Sequence, residues 1–285
     1  MPRDLHAPPI IGHAALQPTL ERPGKGTPAQ EARHPRSGQQ LLTRNPPDSS
    51  FEHRLDRYAR VAGSIPGSIR LLTQSKRTFE PWMQLMSQGE PSGAAFIIEH
   101  GWTFSSCSQT NGTRQILDVQ IPGDIAGLQS LAMPFAMHDV TAITRVQAWE
   151  VSSALVSEAV SGDPGLAAFL LWLSAGENAV AAERLTDLGR RTALERTAHF
   201  ILELATRLRL AGHGSETGFP CPMTQYLLGD ALGLTPVHIN RMLRELQTAG
   251  LVHHQRGWIR LLDKEKLVEL ASFDDAYLDC TGPFA

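Results

Sequence analysis

The sequence predicts an α+β chain in which a roll of short strands precedes a long helical segment and a compact C-terminal unit of two short helices and a hairpin. Three observations lead there. From about residue 89 to 151, short apolar runs are interrupted by Gly and Pro, as in small barrels and rolls. From 152 almost to 210 the apolar period is helical. Between Thr224 and Asp263, two capped helical stretches separated by Gly233-Leu234-Thr235 lead into two short apolar runs around a polar tip.

The bulk numbers set bounds. A chain of 285 residues with 42% hydrophobic content can bury two modest cores. The formal net charge of −3 excludes a polycation, so any affinity for a polyanion must be local. Residues 190–269 hold eleven Lys/Arg against eight Asp/Glu, a surplus of three. Cys107, Cys221 and Cys280 are odd in number and far apart, which suggests reduced thiols and neither a disulfide framework nor a metal cluster. Met1-Pro2-Arg3-Asp4 opens no apolar leader, and no apolar run of membrane-spanning length is read, so a cytoplasmic protein is expected.

Residues 1–50 are rich in proline without apolar period, and disorder is expected there. Phe51 to about Arg60 reads as a short helix. Ala94-Ala95-Phe96-Ile97-Ile98 runs through Gly101 to Trp102-Thr103-Phe104 and on to Asn111-Gly112, a hairpin signal because both residues tolerate positive φ. The return strand runs Thr113 to Ile121 and stops at the turn Pro122-Gly123-Asp124. Two further strands are expected at 140–143 and 146–151. Asp163-Pro164 starts a helix with a capping carboxylate and proline at its first position. Leu166, Leu170, Leu173, Val180 and Leu188 then form an apolar stripe, open to two readings: internal core or a partner helix.

Thr224 caps a helix over 225–232. Thr235 caps a second, with Pro236 first, running to about Thr248 and closed by Ala249-Gly250. Leu251-Val252, the tip His253-His254-Gln255-Arg256-Gly257, and Trp258-Ile259-Arg260-Leu261-Leu262 make a two-stranded wing. Helix, turn, helix and hairpin form the winged helix-turn-helix plan. The run from Thr224-Gln225 through Gly233-Leu234-Thr235-Pro236-Val237-His238-Ile239-Asn240-Arg241 to Leu243-Arg244-Glu245-Leu246 and Gly250-Leu251-Val252 resembles the Crp–Fnr family of regulators. Leu188 to Arg196 is similar to that family's hinge and first DNA-domain helix. Pro122 to Leu128 falls where its β-roll carries the effector loop. The likeness spans roughly 85–275.

The resemblance implies a cyclic-nucleotide-binding-like β-roll (a double-stranded β-helix), a long dimerisation helix and a C-terminal winged helix-turn-helix. It implies boundaries at 1–50 (extension), 51–152 (sensor), 153–189 (dimerisation region), 190–275 (DNA-binding domain) and 276–285 (tail), and it makes the leucine stripe a dimer seam. It further implies a homodimer on double-stranded DNA, reading an inverted repeat with half-sites about one helical turn apart, and RNA polymerase as a partner if the chain activates. Val237, His238, Arg241 and Arg244 are the expected base contacts; an arginine at 241 can fork onto guanine. Thr224, Gln225, Thr235, Asn240, Arg256 and Arg260 are expected on phosphates.

The expected effector pocket comprises Gly123, Asp124, Gly127, Leu128, His138 and Asp139. Relatives that bind cyclic AMP carry Gly-Glu and then Arg-Ser or Arg-Thr. Here Gly127-Leu128 and His138-Asp139 stand in those places, and an aspartate repels phosphate, so cyclic AMP is disfavoured. Oxygen sensing through an iron–sulfur cluster needs four cysteines and is excluded. His100 and His138 are candidate haem ligands, but a lone histidine in a β-roll is more often a surface or hydrogen-bonded residue. No cofactor is therefore predicted, and some FixK-like relatives act without one. The alternative function is a ligand sensor that works through protein contacts without DNA. Enzyme motifs and catalytic residues are absent from this reading, with Asp124 and Asp139 taken as turn and surface carboxylates.

Overall fold

The computed structural model describes residues 49–108, 110 and 112–279. The segment 1–48, which contains almost all of the proline-rich stretch, and Asn111 of the expected hairpin turn lie outside the described residues.

Helix α1 (Ser50–Ala62) begins at a capping box in which Ser49 and Glu52 satisfy each other's backbone N–H groups. A 3-10 turn (Gly67–Thr73) leads to β1 (Ser75–Phe79) and β2 (Gln84–Met86). Neither strand was expected, because β1 is exposed at four of its five residues and lacks an apolar period. Next come β3 (Ala94–His100), β4 (Thr103–Ser108), β5 (Arg114–Gln120), β6 (Ile125–Ala126), β7 (Asp139–Ala142) and β8 (Val146–Ser152). They form two antiparallel sheets, ordered β1-β8-β3-β6 and β2-β7-β4-β5. The β4–β5 hairpin pairs from Thr103 with Gln120 to Ser108 with Arg114, the strands that the Asn111-Gly112 signal was expected to join.

Side chains alternate across β3. Phe96 and Ile98 enter the core between the sheets with Phe79, Val140 and Val146. Ala95 and Ile97 face a second core built by Phe51, Leu55 and Tyr58 of α1 and by Leu166, Phe169 and Leu173. The latter three belong to α3 (Pro164–Arg190), which follows α2 (Ser153–Gly162). The expected stripe is therefore corrected. Leu166 and Leu173 are fully buried and Leu170 partly buried against the chain's own roll, leaving only the distal Leu188 exposed. The outward face is a different row: Ala167, Leu171, Ser174, Asn178, Ala181, Leu185 and Leu188, exposed throughout and spaced alternately four and three apart. Among the described residues α3 is also long and apolar enough to cross a membrane, its best window averaging a hydropathy of 1.3. No such run stands out in the sequence, because alanines carry much of the average while Ser174, Gly176, Glu177 and Asn178 interrupt the apolar stretch.

Helix α4 (Ala193–Leu210), capped by Thr192 and Glu195, is buried around almost its whole circumference. It sits at the centre of a third core, which joins Phe104, Ile116 and Val119 of the roll to Phe219, Leu228, Ile239, Leu246 and Ile259 of the C-terminal part. That part contains β9 (Gly218–Pro220), α5 (Gln225–Leu232), α6 (Pro236–Thr248), β10 (Val252–Gln255), β11 (Trp258–Leu261) and α7 (Lys264–Ala271). The wing is a three-stranded sheet, β10-β11-β9, because β9 pairs with β11 from Gly218 to Pro220. Residues 276–279, expected as tail, form a further turn, α8 (Ala276–Asp279), which buries Leu278. The Arg57 guanidinium donates to the Leu278 carbonyl and, at 3.0 Å, to that of Asp279.

A buried charge cluster crosses all these layers. Arg207 of α4 reaches Asp124 at 2.7 Å, Glu203 at 3.0 Å and Asp118 at 3.2 Å, and donates to the Val119 carbonyl at 2.9 Å. Arg184 of α3 reaches the same Glu203 at 2.8 Å, and Arg54 of α1 pairs with Asp124. Asp124, expected as a turn residue, is thus buried. Burial pushes its carboxyl up, but Arg207, Arg54 and the Ile121 N–H outweigh that and hold it below the usual carboxylate range.

Glu177 of α3 sits beside the cluster. Burial, then the charges of Asp118 and Asp124, push it up to about 8 against the opposing pull of Arg54 and Arg207. With Glu177 protonated, three guanidiniums face the three carboxylates of Asp118, Asp124 and Glu203. Because its folded pKa exceeds the unfolded value of 4.5, its contribution to stability is present below pH 4.5 and is lost as pH rises towards 8. Between those values the folded state binds more protons. Glu177→Gln should therefore flatten the fall of the urea midpoint across this window relative to the unmodified protein; an unchanged slope would show that Glu177 does not hold the proton.

Candidate nucleic-acid interface

Helices α5 and α6 are placed by local chemistry. The Thr224 hydroxyl accepts from the Leu227 N–H at 3.3 Å and that of Thr235 from the His238 N–H at 3.2 Å, each satisfying a donor that a helix start leaves free. Between the helices Gly233 adopts φ +62, a left-handed conformation that strains side chains with a Cβ. A Cβ at Gly229 would lie 2.6 Å from the Leu234 carbonyl, so the turn closes only over glycine. Ile239, Met242, Leu243 and Leu246 anchor α6 inward. Outward it presents Val237, 82% exposed, together with Arg241 and Arg244, while His238 is half-buried beside them.

The other expected contacts surround this face. Gln225 and Asn240 hold each other across the two helices, Asn240 Nδ2 donating to Gln225 Oε1 at 3.3 Å. Thr224 and Thr235 use a lone pair for capping, which leaves their O–H groups free to donate. Arg256 occupies the wing tip at φ +51, and Arg260 lies exposed on β11. Two aromatic residues escaped the sequence reading. Tyr226 is 72% exposed at the start of α5 and Trp258 50% exposed on the wing. An aromatic ring carrying a polar O–H or N–H, which suits a polar interface, was the available signal. In the wing, burial and then the neighbouring His253 hold the His254 imidazole below its ordinary value.

The roll touches this unit directly. Arg114 of β5 pairs with Asp230 of α5 at 2.6 Å, and Gln115 donates to the Ala231 carbonyl at 3.2 Å. Arg196 of α4 donates to the Leu232 carbonyl at 2.9 Å, satisfying an end of α5. Nothing in the sequence marks these pairs, since their members lie far apart in the chain.

The expected effector residues do not converge. Gly127 and His138 line a cavity of about 310 Å³ with Gln129, Glu177, Val180 and Arg184. Gly123 and Asp124 line a smaller one of about 80 Å³ around the charge cluster. Leu128 and Asp139 line neither: Leu128 is packed in the core under α1, and the Asp139 carboxylate accepts from Gln84 Nε2 at 2.7 Å and the Gln88 N–H at 2.9 Å. Of the two haem candidates, His100 is exposed. His138 is half-buried, and burial lowers its pKa against the opposing effect of Asp139. Burial pushes the Cys221 thiol up to about 11, while burial and then Asp139 raise that of Cys107. Among the described residues no cluster of His, Cys, Asp or Glu is arranged to hold a metal.

Comparison with known proteins agrees with this geometry. Residues 195–270 match a Crp-like helix-turn-helix domain and residues 76–163 a cyclic nucleotide-binding domain. The nitrogen fixation regulation protein FixK of Bradyrhizobium diazoefficiens is 31% identical over 163 residues, which are 57% of this chain and 67% of the relative. The electron transport regulator A of Shewanella oneidensis is 26% identical over 200 residues, 70% of this chain and 80% of the relative. The solved structure of FixK2 from Bradyrhizobium japonicum superposes with a TM-score of 0.64 at 28% identity, covering 69% of this chain and 96% of that one. With its roll, long helix and winged helix-turn-helix, the chain belongs to the Crp–Fnr family of transcription regulators.

Proposed function

We propose that two copies of this chain bind an inverted DNA repeat, each laying α6 in the major groove. The observation that carries this reading is the outward face of α6, where Val237, Arg241 and Arg244 project from a helix whose other side is locked into the core. Arg241 reads a guanine, and Val237 packs on a thymine methyl. Thr224, Gln225, Thr235, Asn240, Arg256 and Arg260 contact phosphates and sugars, and the exposed Tyr226 and Trp258 join them. Such a protein works in the cytoplasm as a regulator and not as an enzyme; when it activates, RNA polymerase is its partner. Arg241→Ala should weaken a selected site by about 1–3 kcal/mol and relax one base position. Arg260→Ala should instead weaken all duplexes similarly and lower the salt slope by about 1. Titrating labelled duplexes at several salt concentrations separates the two; equal behaviour of both variants would remove α6 from base reading.

The outward row of α3 is the seam of the proposed dimer. Its four–three spacing is that of paired helices, and Asn178 falls mid-seam at a position where a polar residue fixes register at a cost in stability. Leu171 and Leu185, each 71% exposed, flank it as apolar anchors. Leu185→Glu should halve the mass measured by light scattering while leaving the circular dichroism of the fold unchanged. A dimer that survives this change would place the seam elsewhere.

The larger cavity disfavours a cyclic nucleotide. Asp118 and Asp187 line it as carboxylates, and of its arginines Arg184 is already engaged by Glu203 and Arg196 by the Leu232 carbonyl. It suits a mostly uncharged effector or none. Cyclic AMP at millimolar concentration should leave DNA affinity unchanged in a fluorescence-anisotropy titration, and a tenfold gain would contradict this.

A further inference from the structure

On α6, the Arg241 guanidinium lies 2.7 Å from Nε2 of His238, three residues earlier on the same face. A guanidinium has donors only, so in this contact Nε2 is the acceptor. The backbone of His238 is itself fixed, its N–H donating to the Thr235 hydroxyl that caps the helix. His238 is thus tied at its backbone to the cap at Thr235 and at its ring to the fork of Arg241. Among the described residues no carboxylate lies within ion-pair distance of Arg241 to compete for it; Glu245, one turn further along, is not paired with it.

We propose that His238 is a positioning residue that sets sequence preference by holding the Arg241 fork, and does not itself read a base. The proposal rests on the assignment of α6 as the recognition helix and revises the role of His238 within it. An exposed arginine on a flexible stem samples many rotamers, and a base-reading fork must be confined to one of them to bond bidentately. The contact with Nε2 occupies one donor of Nη2 and leaves the remaining guanidinium donors for a base edge. A glutamine at this position retains an acceptor oxygen without the ring, whereas alanine retains nothing.

The test is selection of binding sites from random duplex DNA by the full-length protein and by Arg241→Ala, His238→Ala, His238→Gln and the double variant His238→Ala/Arg241→Ala. The unmodified protein should enrich one inverted repeat. His238→Ala should lose preference at the same base position as Arg241→Ala, with affinity for the enriched site reduced about tenfold. His238→Gln should restore most of the preference, and the double variant should be no worse than Arg241→Ala alone. Affinity for a scrambled duplex and its salt slope should be unchanged in His238→Ala, since no phosphate contact is removed. Lost preference at a different base position would overturn the proposal by making His238 a reader in its own right. An unchanged profile in His238→Ala would also overturn it, leaving α6 as the recognition helix. If the unmodified protein enriched no sequence, the recognition-helix reading itself would fall, and this inference with it.

Discussion

The guanidinium of Arg207, 11% exposed, needs anionic partners on every side, and the fold is arranged around supplying them. An isolated charge at that depth is not tolerated, while a fully bonded one is. Its partners come from the β5–β6 turn through Asp124, eighty-three residues away in the chain, from β5 through Asp118, and from its own helix through Glu203. Arg54 then draws α1 onto Asp124, and Arg184 draws α3 onto Glu203. Each element that touches the cluster carries an apolar face already matched to its neighbours, so charge pairing and core burial select the same arrangement. Removing one member of such a cluster costs about 3–5 kcal/mol, because the opposite charge stays buried and unpaired.

This constraint has a consequence for DNA reading. Helix α4, which carries Arg207, is also the central support of α5 and α6. The roll adds its own grip through Arg114 on Asp230. Anything that moves α3 or the β5–β6 turn therefore acts on the support of α6 through fixed ionic and packing contacts. In a dimer built on α3, the spacing of two recognition helices would follow from the seam and from this cluster together, which is the geometry that an inverted repeat measures. Burial and the charges of Asp118 and Asp124 push Glu177 at the junction up to about 8, which favours its neutral form at pH 7 and leaves three guanidiniums facing three carboxylates.

The sequence was most informative where structure is local. The caps Thr224 and Thr235, the proline at 236 and the glycine at 233 each dictate backbone geometry within a few residues, and α5, α6 and the wing stand where those signals put them. The family likeness rested on the same stretch. Strand β1 escaped because a polar edge strand has no apolar period, and β9 because Gly218–Pro220 is too short to show one. The α3 stripe was misread for a different reason. A helix with two apolar faces gives one periodic signal for each, and nothing in the spacing says which face meets the chain's own roll. Leu166, Phe169 and Leu173 turn inward because α1 presents Phe51 and Tyr58 to them, and residues so distant in sequence leave no trace in a local pattern. The charge cluster was illegible in the same way: Asp124 closes a turn, as its neighbours Pro122 and Gly123 suggest, and only the fold brings Arg54 and Arg207 to it.

The claim that one ionic cluster couples the roll, α1 and the support of the DNA-binding part is tested most directly by amide hydrogen exchange on Asp124→Asn, which keeps the side chain's size and removes its charge. Coupling predicts that protection falls together in α1, in the β5–β6 turn and in α4, three segments distant in the chain, while α6 and the wing keep their own hydrogen bonds. A loss confined to residues 121–124 would contradict it, and would mean that packing alone holds the two halves together.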